Sequence, residues 1–539
     1  MSKRIYSISL FLLGSFLFCY VLFRAVLLSL THDESATTDL VSVSLADIMF
    51  APNQFQTANN HILHSIFMKW SVLFFGWKEW AIRLPNVLLF VLYFCASVWY
   101  ATRLTQNHFL RLAAIFIICS VPYLLDFFSL ARGYGMANAF SFAALAALIG
   151  FFHDQKKKYL LFTFSFAALA VYSNFTWLNI YLGLWLLLNC GIILFYRKEN
   201  NRSLIRSFIT HNIYPLVIGL LLALLIYKPI SYLKKQDEFK WGSSEWLVSF
   251  KSFINDLLYG HPLFFTTQEG SARIICYFLI VAVCISVALL VRHLIRYKQN
   301  AFQTFYGKAT LLSLLLLLII LTSTVAQRHL LNTYYVDGRK ATLYIPILLS
   351  LIASSAVWFR EKYSNAGNTY WILLSSISLL QFYLSFNFTH CREWWYDATS
   401  KHALQAICSD STSAKETGVN WLFIHSFHVY NKHFYKNCLP AIVRTDASPD
   451  QLTDIDYYYI IGDEIRTIHP VYKPVKRFFW DRFLLKKDEA AYEVTLSTYI
   501  QANRIIYPNL SEQQLRVAAE AALFKQRKEL NWAALFFTD

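Results

Sequence analysis

The stretch Ile5–Leu28, IYSISLFLLGSFLFCYVLFRAVLL, decides the fold, and Ser29-Leu30-Thr31-His32-Asp33-Glu34-Ser35 follows it directly. About two dozen residues with one charge, Arg24, are long enough to cross a bilayer, too long for a signal-peptide core. No small-residue cleavage site precedes His32, so the run reads as a retained helix. Lys3 and Arg4 lie before it. Basic residues favour the cytoplasmic side, which predicts the N-terminus inside and Asp33 outside. A carboxylate pair just beyond a helix end, at the outer membrane surface, is a candidate acid/base site.

The same reading extends along the chain. Of 539 residues 56% are hydrophobic and 17% aromatic. Apolar runs long enough to span predict a polytopic α-helical membrane protein with about eleven helices. They fall near 5–28, 83–102, 109–126, 131–152, 159–175, 177–196, 211–230, 272–296, 309–326, 341–359 and 369–387. A re-entrant hairpin around residue 176 could replace two of these. The net charge of +16 comes from basic residues gathered between apolar runs, such as Lys156-Lys157-Lys158, which fits topology and anionic lipid better than nucleic acid. Every connection on the inner side of this scheme is basic.

An odd number of spans places the tail outside. The chain thus divides into a transmembrane domain, 1–387, whose first outer loop 29–82 carries the acidic pair, and a small extracytoplasmic α/β domain, 388–539. In the tail, Asn420–His425, Ala441–Arg444 and Tyr457–Ile461 read as buried strands. Ser511-Glu512-Gln513-Gln514 opens an amphipathic helix with a capping-box pattern. The tail is expected to contribute specificity, not to make bonds. Three of nine cysteines, Cys391, Cys408 and Cys438, lie in it, permitting one disulfide of unspecified pairing. No metal-ligand spacing is present, and no cofactor is implied.

Three outer segments carry candidate chemistry. An interfacial helix is expected after Asn60-His61-Ile62-Leu63, leading to Gly76 and on to Glu79-Trp80-Ala81-Ile82-Arg83-Leu84-Pro85. The turn Asp126–Gly135 holds Asp126, Arg132 and Tyr134; its Asp and Arg either pair with each other or bind a hydroxyl and a phosphate. Asp337-Gly338-Arg339-Lys340 adds two cations, favouring an anionic ligand. In the 231–271 loop, Trp241, Trp246 and Tyr259 read as interfacial belt residues or as a cover for a lipid groove.

Together these pieces resemble the C-type glycosyltransferase superfamily, in the branch of protein O-mannosyltransferases and bacterial lipid A glycosyltransferases. The resemblance rests on Asp33-Glu34, on Asn60–Leu63, on Gly76 through Pro85 and on Ala131-Arg132-Gly133-Tyr134, and covers roughly residues 1–200. Ile62 stands where the family usually has proline. The resemblance implies transfer of a hexose or pentose from a polyprenyl-phosphate donor to a lipid, glycan or protein acceptor at the outer face, with inversion. Asp33 would be the base and Glu34 its orienting neighbour or an acceptor contact. Arg132, with Arg339 or Lys340, would hold the leaving phosphate, and His61, Arg83, Asp126, Tyr134 and Asp337 are further candidates. The first outer loop has no Asp-x-Asp motif, so a divalent-metal mechanism is not supported. A bacterial inner-membrane protein with its site facing the periplasm is the expected setting. A transporter or flippase, the first alternative, needs charges within the spans; a polymerase or ligase of lipid-linked glycans needs no acidic pair after the first helix; a non-catalytic scaffold would tolerate Asp33→Asn.

Overall fold

The computed structural model describes residues 1–55, 57–196, 201–259, 288, 292, 303–410, 416–444, 455–462, 471–506 and 511–516. It forms two compact units: Met1–Leu27 with Asp39–Glu393, and Leu28–Thr38 with Trp394–Asp539. The acidic pair, counted above with the membrane domain, is thus grouped with the tail.

The first unit is helical. Lys3–Leu27 is one helix of 25 residues, about 37 Å long at 1.5 Å per residue, enough for a hydrocarbon core of about 30 Å. Phe11 and Leu12 are exposed on it, as are Leu220 and Leu224 on the long helix Asn201–Lys235, the pattern of lipid-facing surfaces. Gly133–Asp154 is the central helix, its apolar window wholly buried.

Seven described helices are long and apolar enough to cross a membrane, eight if one bent pair counts as a span. The difference from eleven has local causes. The run 109–126 breaks into His108–Cys119 and Pro122–Phe128, bent by 67°, because Pro122 has no N–H to continue the first helix and starts the second instead. Lys158–Ser173 has only 16 residues. Ser364–Ser385 carries Ser375, Ser376, Ser378 and Gln381, which lower its apolarity. The run 272–296 lies outside the described residues apart from isolated positions.

The interfacial segment forms the helix Ile62–Phe75, ended by Gly76 at φ +76°, a conformation glycine adopts without strain. Glu79–Leu104 follows with Pro85 inside it. Proline removes the N–H that would have bonded the Ala81 carbonyl. The Ser71 hydroxyl donates to that carbonyl instead, at 2.5 Å, so the break in the ladder also ties the two helices together.

The second unit is built on a five-stranded mixed sheet of order β2-β1-β3-β5-β4. β1 (Thr417–Val419) pairs in parallel with β2 (Ile442–Arg444) and β3 (Tyr457–Ile461); β5 (Arg482–Lys487) is antiparallel to β3 and to β4 (Tyr472–Phe478). One face buries Tyr458, Ile460, Phe483 and Leu485 with Tyr492 and Leu496 of the helix Glu489–Ile506. On the other, Tyr459 stacks against Phe423 and Phe427.

Phe423 and Phe427 belong to the helix Trp421–Val429, where the sequence reading expected a strand over Asn420–His425. Asn420 is the reason: its side chain accepts from the Leu422 amide at 3.0 Å and caps a helix there. The expected strands over Ala441–Arg444 and Tyr457–Ile461 are present. Ser511 and Gln514 exchange side-chain bonds to each other's amides, at 3.3 and 2.9 Å. That is the reciprocal pattern of a capping box; the chain from 517 on lies outside the described residues. A disulfide joins Cys408 to Cys438, Cα–Cα 5.8 Å, which leaves Cys391, buried in the first unit, as the remaining thiol.

Candidate active site

In the first unit, residues far apart in sequence meet around Asn86, next to Pro85. Its side-chain amide donates to the Leu130 carbonyl at 2.5 Å and to the Arg132 carbonyl at 2.6 Å, and its oxygen accepts from the Met136 amide at 3.2 Å. One side chain thus shapes the whole Ala131–Gly135 turn. Gly133 is required there, since a Cβ would overlap the Ser173 carbonyl and press on His61. Arg83 is fully buried on the same helix and donates to the Ala25 carbonyl at 3.1 Å.

Arg132 is almost wholly buried. Its guanidinium reaches the Asn59 side-chain oxygen at 3.1 Å and the Asn59 carbonyl at 3.3 Å. His61 stacks edge-on against Tyr134 at 5.0 Å, and the Asn174 amide lies 3.4 Å from its Nδ1. Burial, followed by the positive charge of Arg132, holds the His61 imidazole well below its ordinary pKa, with His64 and Arg339 acting in the same direction. His61 is therefore neutral at neutral pH. Two arginines close enough to depress one histidine form a local positive field suited to an anion.

A second group adjoins Arg339. Arg339 lies 3.6 Å from Glu393, which also accepts from the Tyr123 hydroxyl at 3.0 Å. Asp256, from the helix Trp246–Leu257, pairs with Arg392 at 3.3 Å. Burial and the Glu393 carboxylate push Asp256 up to about 7, against the pull of Arg392. Asp337 accepts from the Ser243 hydroxyl. Lys340 donates to the Trp241 carbonyl at 2.7 Å.

Asp126 does not pair with Arg132. Its carboxylate binds the guanidinium of Arg24, the Tyr259 hydroxyl at 3.0 Å and the Arg392 amide at 2.7 Å. Arg24 also donates to the carbonyls of Asn387 and His390 at 2.7 and 2.9 Å. Tyr259 is buried in this network, while Trp241 and Trp246 are exposed, so the three aromatics do not share one role.

In the second unit, Asp33 and Glu34 open the short helix His32–Thr37, and both are buried. Glu34 closes a capping box: its carboxylate accepts from the Thr31 amide at 2.9 Å, and the Thr31 hydroxyl accepts from the Glu34 amide at 3.3 Å. Asp33 takes no part in that box. The two carboxylates, equivalent in the sequence, therefore differ in duty.

Several partners escaped the sequence reading. Asn59 and Asn86 adjoin the quoted motifs but carry no charge to attract notice. Glu393, Arg392 and Asp256 lie in polar stretches with many charges. Arg24 did carry a signal, as the single ionisable group within an apolar run. Among the described residues no group of three or more His, Cys, Asp or Glu could hold a metal ion.

No family model and no curated protein matches this chain. Among solved structures it is similar to ArnT from Cupriavidus metallidurans in the apo state, at 10% identity over 88% of this chain and 97% of that one, TM-score 0.38. It is also similar to the Archaeoglobus fulgidus oligosaccharyltransferase in the apo form, at 10% identity over 84% and 70%, TM-score 0.44. The same enzyme tethered to an acceptor peptide gives 10% identity over 86% and 70%, TM-score 0.45.

Proposed function

We propose that this chain is a multi-pass membrane glycosyltransferase that moves a sugar from a polyprenyl-phosphate carrier to an acceptor at the outer face of the membrane. The observation that carries this reading is that three of the four motifs behind the resemblance meet within the first unit through residues in or beside them: Asn86 shapes the turn that bears Arg132, Asn59 binds Arg132, and His61 packs edge-on against Tyr134. Chance matches scattered along a membrane protein would have no reason to converge.

In an inverting displacement the acceptor oxygen bonds to the anomeric carbon while the bond from that carbon to the phosphate oxygen breaks. The acceptor proton passes to the base, for which the reading names Asp33. Glu34, committed to its capping box, orients the turn. The phosphate leaves with its charge held by Arg132, with Arg339 or Lys340. Neutral His61 leaves the positive charge to the arginines and packs against Tyr134. The decisive experiment is mass spectrometry of polyprenyl-linked sugars and glycoconjugates in a deletion strain. Loss of one glycan with build-up of its lipid-linked donor supports the reading; an unchanged profile refutes it.

Two further outcomes follow. Arg132→Lys keeps the charge but loses the planar fork, so affinity for polyprenyl phosphate should fall by about tenfold or more, the worth of a charge-assisted hydrogen bond. Calorimetry on the purified chain measures it, and unchanged affinity removes Arg132 from the phosphate site. On topology, Lys156→Cys should react with a membrane-impermeant thiol reagent only from the cytoplasmic side. Labelling from the periplasm alone would reverse the orientation.

A further inference from the structure

We propose that Asp397 is a positioning residue for Asp33: it clasps the turn that presents the base and tunes the base through its own carboxyl. The proposal rests on the reading of Asp33 as the base. Asp397 is 1% exposed. Its Oδ2 accepts from the His32 amide at 2.6 Å, one residue before Asp33. Its Oδ1 lies 3.3 Å from the Ser426 hydroxyl and 3.4 Å from the Ser400 hydroxyl. These three partners are an amide and two hydroxyls, none of them a cation.

The rest of the turn is held from the same side. The Tyr430 hydroxyl accepts from the Leu30 amide at 2.7 Å, the Ser426 hydroxyl donates to the Leu30 carbonyl at 3.3 Å, and His32 Nδ1 lies 2.9 Å from the Leu422 carbonyl. A six-residue helix cannot hold its own shape in isolation, so the geometry of Asp33 is set by this clasp, with Asp397 at its first turn.

The groups facing Asp397 come from four elements. His32–Thr37 brings His32, Asp33 and Glu34. Trp421–Val429 brings His425, edge-on to His32 with ring centroids 4.8 Å apart. Ser400–Cys408 touches through Ser400, with Lys401 and His402 next in sequence. The sheet brings Tyr459, on which both Asp397 and Arg482 act. Burial raises the Asp397 carboxyl well above the ordinary range, partly offset by its hydrogen bonds, and the Asp33 charge raises it further. The charge on either carboxyl disfavours ionisation of the other. In the proposal Asp397 keeps its proton, which its Oδ1 can donate to Ser426 while Ser426 donates to Leu30, and Asp33 acts as the ionised base.

The test uses the purified full chain in detergent, with infrared spectra and turnover. Turnover is followed as polyprenyl phosphate released from a lipid extract of the host. At neutral pH the wild type should show a protonated carboxylic-acid C=O band, additional to that of Asp256, which is pushed up to about 7; Asp397→Asn removes this additional band and Asp33→Asn leaves it in place. Asp397→Ala loses the clasp, and its turnover should fall by about a hundredfold, as for a displaced catalytic group. Asp397→Asn keeps an oxygen for the His32 amide, so its neutral-pH turnover should stay near wild type. Wild-type turnover should rise at alkaline pH as Asp397 ionises and its charge makes Asp33 a stronger base, and Asp397→Asn should lack that rise. A thermal melt identifies an Asp397→Ala chain that has lost its fold, in which case the Asp397→Asn spectrum and pH profile decide. The proposal is overturned if folded Asp397→Ala turns over like wild type, or if the additional band survives in Asp397→Asn. If Asp33→Asn itself remains active, the reading of the base fails instead, and the infrared arm still reports where the proton resides.

Discussion

Asp33→Asn should lower turnover by about a hundred- to ten-thousandfold, the range over which a general base contributes, with donor binding little changed. The substitution keeps the size of the side chain and removes its capacity to take a proton. It also leaves the local fold intact, because the capping box belongs to Thr31 and Glu34. Glu34→Gln is the matched control. Glutamine can still reach back to the Thr31 amide, so that variant should stay within a few-fold of wild type, whereas a catalytic Glu34 would lose as much as Asp33→Asn. Polyprenyl phosphate released per unit time and donor affinity, measured for both variants, separate the cases. Near-normal turnover by a folded Asp33→Asn chain would place the base elsewhere.

The membrane architecture was legible because the constraint behind it is coarse: a span needs only length and apolarity, and Lys3–Leu27 or Gly133–Asp154 supply both. Finer features depend on single residues whose effect reaches beyond a hydropathy window. Pro122 bends an otherwise continuous run by 67°, and Asn420 turns an apolar stretch that looked like a strand into a capped helix. In the site, the motif residues were found by type and spacing, but their partners were not. Asn86 and Asn59 act through amide groups that appear in any loop. Asp397 stands about 360 positions from the turn it holds, a separation no local pattern can report. Asp126 and Arg132 illustrate the opposite error. Six residues apart in one turn, they looked like partners, yet each is bound by a group from a different part of the chain.

Arg24→Ala should destabilise the first unit by about 3–5 kcal/mol, the cost of stranding one member of a buried ion pair. Arg24 and Asp126 are 0% and 2% exposed, so no water would compensate the carboxylate left behind. The loss also leaves the carbonyls of Asn387 and His390 with only the longer bonds from the Tyr20 and Tyr259 hydroxyls, at 3.3 and 3.4 Å, and their segment leads into Arg392 and Glu393. Arg24→Lys keeps a charge for Asp126, but a compact ammonium on a flexible stem cannot match the guanidinium fork that spans Asp126 and both carbonyls. Its loss should be intermediate. The double variant Arg24→Leu with Asp126→Leu removes both charges and should cost less than the two single changes added together, a coupling of about 0.5–3 kcal/mol expected of residues in direct contact. Denaturant-induced unfolding in detergent, followed for Arg24→Ala, Arg24→Lys, Arg24→Leu, Asp126→Leu and the double variant, tests this directly. Additive losses, or an Arg24→Ala change within about 0.5 kcal/mol as at an ordinary surface position, would show that the network does not hold the first helix. The same series bears on catalysis. If the pair is structural, Asp126→Asn should lower stability first and turnover only as the folded fraction falls. A stable Asp126→Asn chain with no turnover would instead make Asp126 part of the chemistry.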